Sequence, residues 1–253
     1  MDAEEYKRLY EGLNGKADVE RFEEEGYDRR LLETLYTQKV NRSVKKRFHS
    51  VKSKAPQMLK AWAGGESFVS IADRMNFPPM LTAMMIFLED GCSRKVFWEY
   101  VRDPSLLDSP ETAEELREAT EQDLVYSPAA DESQKERGQW GEGLLWEWLD
   151  GQDIDYKTEA DERREGASGK TPDCLLAEPM EFEGREIHWI ESKASFGDAV
   201  EFRYNCRNQL VPYTQLFGPG VVVYWTGHLD DLKAPEGVTL EDIGIMDKRL
   251  EKL

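Results

Sequence analysis

The 253-residue chain predicts an α/β protein in two parts, an all-α half followed by a half in which helices alternate with strands. Three observations carry that expectation. Residues 1–102 repeat apolar positions at three- and four-residue intervals and hold few strand-like runs. Residues 103–134 turn acidic and carry prolines at 104, 110 and 128. Beyond residue 132 the pattern becomes helix, three strands, helix, strand, closing with the doubly apolar GPGVVVYWTG. The expected domains are a helical domain over 1–102, an acidic linker over 103–131 and an α/β domain over 132–253.

In the first part, Asp28–Lys39 and Ala55–Ala63 show helical spacing. Ser67 is placed to cap a short helix through Met75, Asn76-Phe77-Pro78 makes a tight turn, and a second helix begins near Pro79. Ile71, Ala72, Met75 and Leu81 fall where a helix-turn-helix needs core and small contact residues, although an ordinary helical hairpin reads the same way. The second helix, Pro79–Leu88, has no Arg, Lys, Asn or Gln to reach base edges, so sequence-specific reading by it is not expected. The linker carries one short helix around Glu111–Gln122. A helix over Glu132–Leu149 then buries Trp140, Leu144, Leu145, Trp148 and Leu149. A strand near Ile154–Glu159 follows, then strands Asp173–Phe182 and Arg185–Ala194 joined by a turn at Glu183-Gly184. A helix over Ala199–Phe217 precedes the last strand.

Charge narrows the function. The formal net charge is −18, of which residues 1–126 carry −5 (19 basic, 24 acidic) and the rest −13 (14 basic, 27 acidic). An acidic surface suits a salty cytoplasm, but 16 Lys beside 17 Arg show no loss of lysine. Nucleic-acid binders carry a basic footprint, and one is present. Lys39–Lys54, KVNRSVKKRFHSVKSK, holds Lys39, Arg42, Lys45, Lys46, Arg47, Lys52 and Lys54 with no acid. Such a patch can neutralise phosphates whatever the global charge, although a solvated helix face looks alike. The longest uncharged run, Leu210–Leu229, contains two prolines, three glycines and a glutamine, so no membrane span is expected. The charged start, MDAEEYKRLY, lacks the apolar core of a secretory signal. The three cysteines and three histidines are scattered, which predicts neither a disulfide framework nor a zinc site. A reducing, cytoplasmic setting is the expectation.

The chemistry concentrates in TPDCLLAEPMEFEGREIHWIESKASFGD, residues 171–198. Side chains alternate along a strand, so Glu191 and Lys193 point to one face roughly 7 Å apart along the backbone. Asp173 opens the preceding strand, and a hairpin turning at Glu183-Gly184 returns residues 173 and 193 to the same end. Two carboxylates and an ammonium thus converge at a sheet edge, where a divalent cation relieves the cost of burying them. Hard oxygen ligands suit Mg²⁺ or Mn²⁺. Glu142 lies at the margin of the buried face of its helix, among Gly138, Gly141 and Gly143, and is expected to look toward the metal. Gln209 and Tyr213, four apart, share a helix face. Each feature alone has an ordinary structural explanation: a solvated strand edge, a turn, a helix-surface pair. Their joint order along an α-β-β-β-α-β pattern singles out the site.

Pro172-Asp173 with Glu191-Ser192-Lys193 resembles the PD-(D/E)xK nuclease signature, and Gln209–Tyr213 resembles the Gln-x-x-x-Tyr motif of one branch of that superfamily. More narrowly, Thr171-Pro172-Asp173, the run His188–Asp198, Phe217-Gly218-Pro219-Gly220 and Tyr224-Trp225 look like the TPD-motif family, in its archaeal type. The resemblance is specific over 138–228 and looser over the helical half. It implies a restriction-endonuclease-like core related to Holliday-junction resolvases, preceded by an all-α domain with a helix-turn-helix. It further implies that Asp173, Glu191, the Ser192 carbonyl and Glu142 bind Mg²⁺, with Mn²⁺ as a substitute. Lys193 would orient and help deprotonate the attacking water, and Gln209 and Tyr213 would position strand or metal shell. Ser195 and Asp198 would support that shell. The implied activity is phosphodiester hydrolysis in DNA, branched or otherwise structured. By analogy with resolvases a homodimer is expected, and a protein partner could engage the helical half. The competing reading is a non-catalytic module on the same fold that binds DNA structures or a partner.

Overall fold

The structure, a computed structural model, describes residues 1–166 and 169–253. Two compact units divide the chain, Asn14–Arg21 with Tyr36–Gln134, and Met1–Leu13 with Phe22–Leu35 and Lys135–Leu253. This differs from the boundaries at 102 and 131 read from composition. The acidic segment 103–131 is not strung out as a linker but packs within the helical unit.

Helices α1 (Ala3–Gly12), α2 (Lys16–Glu24), α3 (Arg29–Lys52), α4 (Ala55–Ala63), α5 (Phe68–Met75), α6 (Pro79–Glu89), α7 (Arg94–Arg102) and α8 (Pro110–Gln122) run in chain order. From Tyr36 onward they build the helical unit, whose core gathers Met58, Phe68, Ile71, Met80, Ile86, Phe87, Phe97 and Leu116. Ser67 caps α5 by accepting from the Ser70 amide, and Asn76 ends it in the left-handed region at φ 47°. Arg47 fastens this turn, donating to the Met75 carbonyl at 2.7 Å and the Asn76 carbonyl at 2.5 Å.

Helix α6 begins with Pro79, but its capping position is Pro78, which offers no side-chain acceptor. Buried Asp123, just past α8, supplies one. It accepts from the amides of Met80 (3.0 Å), Val125 (2.9 Å) and Tyr126 (2.8 Å). Asp123→Ala would strand those amides in the core and is expected to cost about 2 kcal/mol in chemical denaturation. Every residue of α6 from Met80 to Phe87 is buried. A groove-reading helix must leave one face free, and α6 leaves none from Met80 to Phe87, so burial adds to the lack of Arg, Lys, Asn and Gln already seen in Pro79–Leu88.

The second unit is built on a mixed sheet. Helix α9 (Pro128–Asp150), which enters this unit at Lys135, leads to β1 (Tyr156–Thr158) and the short α10 (Glu159–Arg164). Strands β2 (Cys174–Phe182) and β3 (Arg185–Lys193) form an antiparallel hairpin. A helical run over 199–217 follows, composed of α11 (Ala199–Asn205), a π-turn (Cys206–Leu210) and α12 (Val211–Phe217). It delivers the chain to β4 (Gly220–Tyr224), then β5 (Val238–Asp242) and β6 (Glu251–Lys252). The sheet order is β1-β2-β3-β4-β5 with β6 against β2; β3, β4 and β5 are parallel and the other pairings antiparallel. The helical run 199–217 is thus the crossover that a parallel β3–β4 pair requires.

Alternation in β4 shows why both sheet faces are covered. Val221 and Val223 pack with Leu145 and Leu149 of α9, whereas Val222 and Tyr224 pack with Phe202, Leu210 and Tyr213 of the crossover. All five residues of β4 are buried, each valine contributing about 1.5–3 kcal/mol of apolar burial. Among the described residues, no helix is long and apolar enough to cross a membrane.

Candidate active site

Local chain geometry decides where the charged residues meet. The hairpin turns on Glu183 and Gly184, both at positive φ (50° and 77°), the twist a two-residue hairpin favours. Next to the turn Phe182 faces Arg185, and Met180 faces Ile187. Farther along, Leu175 faces Trp189 and Cys174 faces Ile190. Five steps along β2, from Leu175 to Met180, therefore match only two along β3, from Trp189 to Ile187. The irregular stretch holds Pro179, which cannot donate to the ladder. An even hairpin would bring Asp173 to the level of Lys193 or beyond. The bulge sets it beside Glu191 instead.

The contacts follow from that register. The Asp173 amide donates to Glu191 Oε2 at 3.1 Å, and the Ser192 amide donates to Asp173 Oδ2 at 2.8 Å. Lys193 Nζ lies 2.5 Å from Glu191 Oε1. Gln209 Nε2, from the π-turn, donates to the same oxygen at 3.1 Å. Tyr213 donates its hydroxyl to the Thr171 carbonyl at 2.8 Å, bracing the loop that carries Asp173. The π-turn places Gln209 against Glu191 while Tyr213 faces Thr171, a use of helix irregularity common at functional sites.

These carboxylates are poorly solvated. Glu191 is 2% exposed, and burial raises its pKa to about 7, against the downward pull of Lys193 and with a further push from Asp173. Burial raises Asp173 as well, opposed by Lys193 and the Ser192 amide and helped by Glu159. Glu142 is raised by burial, then by the charges of Asp173 and Glu159. One ammonium thus faces an excess of carboxylate. Among the described residues no three His, Cys, Asp or Glu stand close enough together to form a ligand cluster. Glu142 senses Asp173 through its charge without joining a three-carboxylate set. Mg²⁺ commonly takes one or two carboxylates and keeps several waters, so hard oxygens in electrostatic excess at Asp173 and Glu191 fit such an ion.

A family model described as "TPD: Protein of unknown function TPD sequence-motif" matches residues 108–249, more than half of the chain. The chain belongs to the TPD-motif family. This TPD-family chain is 33% identical to CDAN1-interacting nuclease 1 of Xenopus laevis over 183 residues, covering 69% of the chain and 60% of that relative. The Homo sapiens protein of the same name is 33% identical over 171 residues (65% and 60%), and that of Gallus gallus 30% over 189 (71% and 65%). The chain thus spans less than two thirds of the length of these relatives. No solved structure matches it.

Several TPD-family residues sit differently from the expectation. Asp198 is buried but works as the cap of α11, accepting from the Val200 and Glu201 amides at 2.9 Å and from the Tyr6 hydroxyl at 2.7 Å. In the basic stretch, Lys45, Lys46, Lys52 and Lys54 are exposed. Lys39 bonds Asn14 at 3.0 Å, Arg47 holds the α5–α6 turn, and Arg42 is also engaged. Of the three glycines near Glu142, a Cβ at Gly138 or Gly143 would meet nothing within 4 Å. At Gly141 it would fall 2.5 Å from Trp225 Cδ1 and 3.1 Å from Ser192 Oγ. Trp225 in turn donates to Ser192 Oγ at 2.8 Å. Gly141→Ala is therefore expected to lose about 1–2 kcal/mol despite better helix propensity, whereas Gly138→Ala should gain up to about 1 kcal/mol, both read by denaturation. Sequence reading missed Trp225 as a brace on Ser192 and Glu159 as a charge acting on Asp173. The Thr158-x-x-Asp161 capping box marks the start of α10 and was the available signal for Glu159.

Proposed function

We propose that this TPD-family protein is a metal-dependent nuclease that hydrolyses phosphodiester bonds in DNA, built on a PD-(D/E)xK core. The observation that carries the reading is the knot of Asp173, Glu191 and Lys193, joined through 2.5–3.1 Å contacts across β2 and β3. The relatives' printed name, nuclease, supports it. Asp173 and Glu191, with the Ser192 carbonyl and with Glu142 through a water, would hold Mg²⁺ or its substitute Mn²⁺. Such an ion supplies an acidified water and charge screening for the phosphate. Lys193, 15% exposed and fixed by Glu191, orients the attacking oxygen and stabilises negative charge on the phosphate. Gln209 keeps Glu191 in its rotamer, and Tyr213 holds the Asp173 loop. In the hydrolysis a water oxygen bonds to phosphorus as the bond to the leaving sugar oxygen breaks in line.

Branched or otherwise structured DNA is the proposed substrate, with a homodimer the proposed state by analogy with resolvases. The helix-turn-helix of α5 and α6 is read as a packed hairpin, with any DNA contact made to phosphates by Lys45, Lys46, Lys52 and Lys54. A protein partner is proposed from the relatives' name, CDAN1-interacting. The test is a panel of labelled single-stranded, duplex, flap and four-way DNA digested with each divalent metal, where cleavage that needs Mg²⁺ or Mn²⁺ is expected. Failure on every substrate would favour a non-catalytic module that binds DNA structures or a partner. That no three acids cluster among the described residues is the observation that keeps that second reading.

A further inference from the structure

The last half of the chain carries a net charge of −13, so a polyanion must find its attraction locally. One stretch offers it. From Phe202 to Leu229 there is no aspartate or glutamate, and Arg203 and Arg207 stand one helical turn apart. Both are exposed and, among the described residues, neither guanidinium is held in an ion pair. Between them Tyr204 is 64% exposed, and Val200, one turn earlier, is 58% exposed.

This rim is tied to the site. Asn208 donates from its side chain to the Tyr204 carbonyl at 2.8 Å. Lys170, exposed and three residues before Asp173, donates to the Asn208 carbonyl. The next residue, Gln209, reaches Glu191. A path thus leads from Asp173 and Glu191 past Lys170 to Tyr204, Arg203 and Arg207 on one face of the helical run. Spaced cations beside a solvent-facing aromatic are what a single strand needs: phosphates pair with the cations and an unstacked base lies on the ring. A duplex hides its bases and would leave the tyrosine unused.

We propose that Tyr204, Arg203, Arg207 and Lys170 form a binding surface for single-stranded nucleic acid leading to the Asp173–Glu191 site. The proposal deepens the nuclease reading by naming the strand state of the substrate beside the site. It can be separated from that reading because binding is measured without catalysis. In EDTA, a labelled 20-nucleotide single strand is titrated with the whole protein at several salt concentrations. The double variant Arg203→Glu/Arg207→Glu is expected to weaken binding at least tenfold and to flatten the salt dependence by about one to one and a half units of slope. Tyr204→Ala is expected to weaken single-strand binding about tenfold with little change for duplex, and Tyr204→Phe to restore it. All four side chains are exposed, so unchanged melting temperatures are expected for every variant. Binding indifferent to these substitutions overturns the proposal even if the protein cuts DNA, and would leave the exposed arginines and tyrosine to a protein partner. Binding that responds as described sustains it even if no metal supports cleavage.

Discussion

Lys193→Ala is expected to slow DNA cleavage by about 10²–10³-fold while leaving Mn²⁺ binding at least as tight. The two effects separate because the lysine has two neighbours with opposite needs. Toward a phosphate its ammonium would supply positive charge, and its removal would forfeit stabilisation present only in the transition state. Toward Glu191, 2.5 Å away, it supplies a counter-charge that competes with a cation for the same oxygens. Without it the carboxylate excess at Asp173 and Glu191 grows. Asp173→Asn is expected to lose both properties, since it removes a ligand charge and leaves an amide that accepts less well from Ser192. Calorimetry with Mn²⁺ beside a cleavage assay reads the pair of variants. Unchanged cutting by either would end the assignment of this site, and lost metal binding by Lys193→Ala alone would make the lysine structural. Lys193→Arg keeps the charge but not the compact ammonium, and is expected to recover little activity.

The residues of this site were legible in the sequence; their spacing was not. Alternation put Glu191 and Lys193 on one face of β3, and the turn at Glu183-Gly184 gave the hairpin. The bulge between Leu175 and Met180 decides which residue faces Asp173, and single-sequence periodicity carries no count of extra residues in a bulged strand. Pro179 was the one mark of it. Helices α4, α5 and α8 were readable to within a residue because caps and prolines fix their ends. The acidic stretch 103–131 misled because polar composition records a solvated face and is blind to the buried one. Leu116, Ala119 and Asp123 hold it within the helical unit. Two-residue β6 falls below the length at which alternation stands out, and β5 offers only Val238 and Leu240 as alternating apolar positions.

With no metal present, raising the pH from about 5 to 8 is expected to lower the melting temperature, and saturating Mg²⁺ or Mn²⁺ is expected to remove that fall. The sign follows from the two buried carboxyls. Glu191 rises from an ordinary 4.5 to about 7 in the folded protein, and Asp173 rises from 3.8, both chiefly through burial. A folded state that holds protons more tightly than the unfolded chain is favoured at low pH. Its advantage is complete below about 4.5 and is lost as pH climbs through about 7, where folding must bury bare charge. Metal reverses the preference, because ligation needs the ionised carboxylates, so binding near pH 6 should release protons that binding at pH 8.5 does not. Titrations in buffers of different ionisation enthalpy measure that release directly. Glu191→Gln removes the main titrating group and is expected to flatten the metal-free curve. A metal-free melting temperature that climbs over this window would mean that Lys193 outweighs burial at this pair.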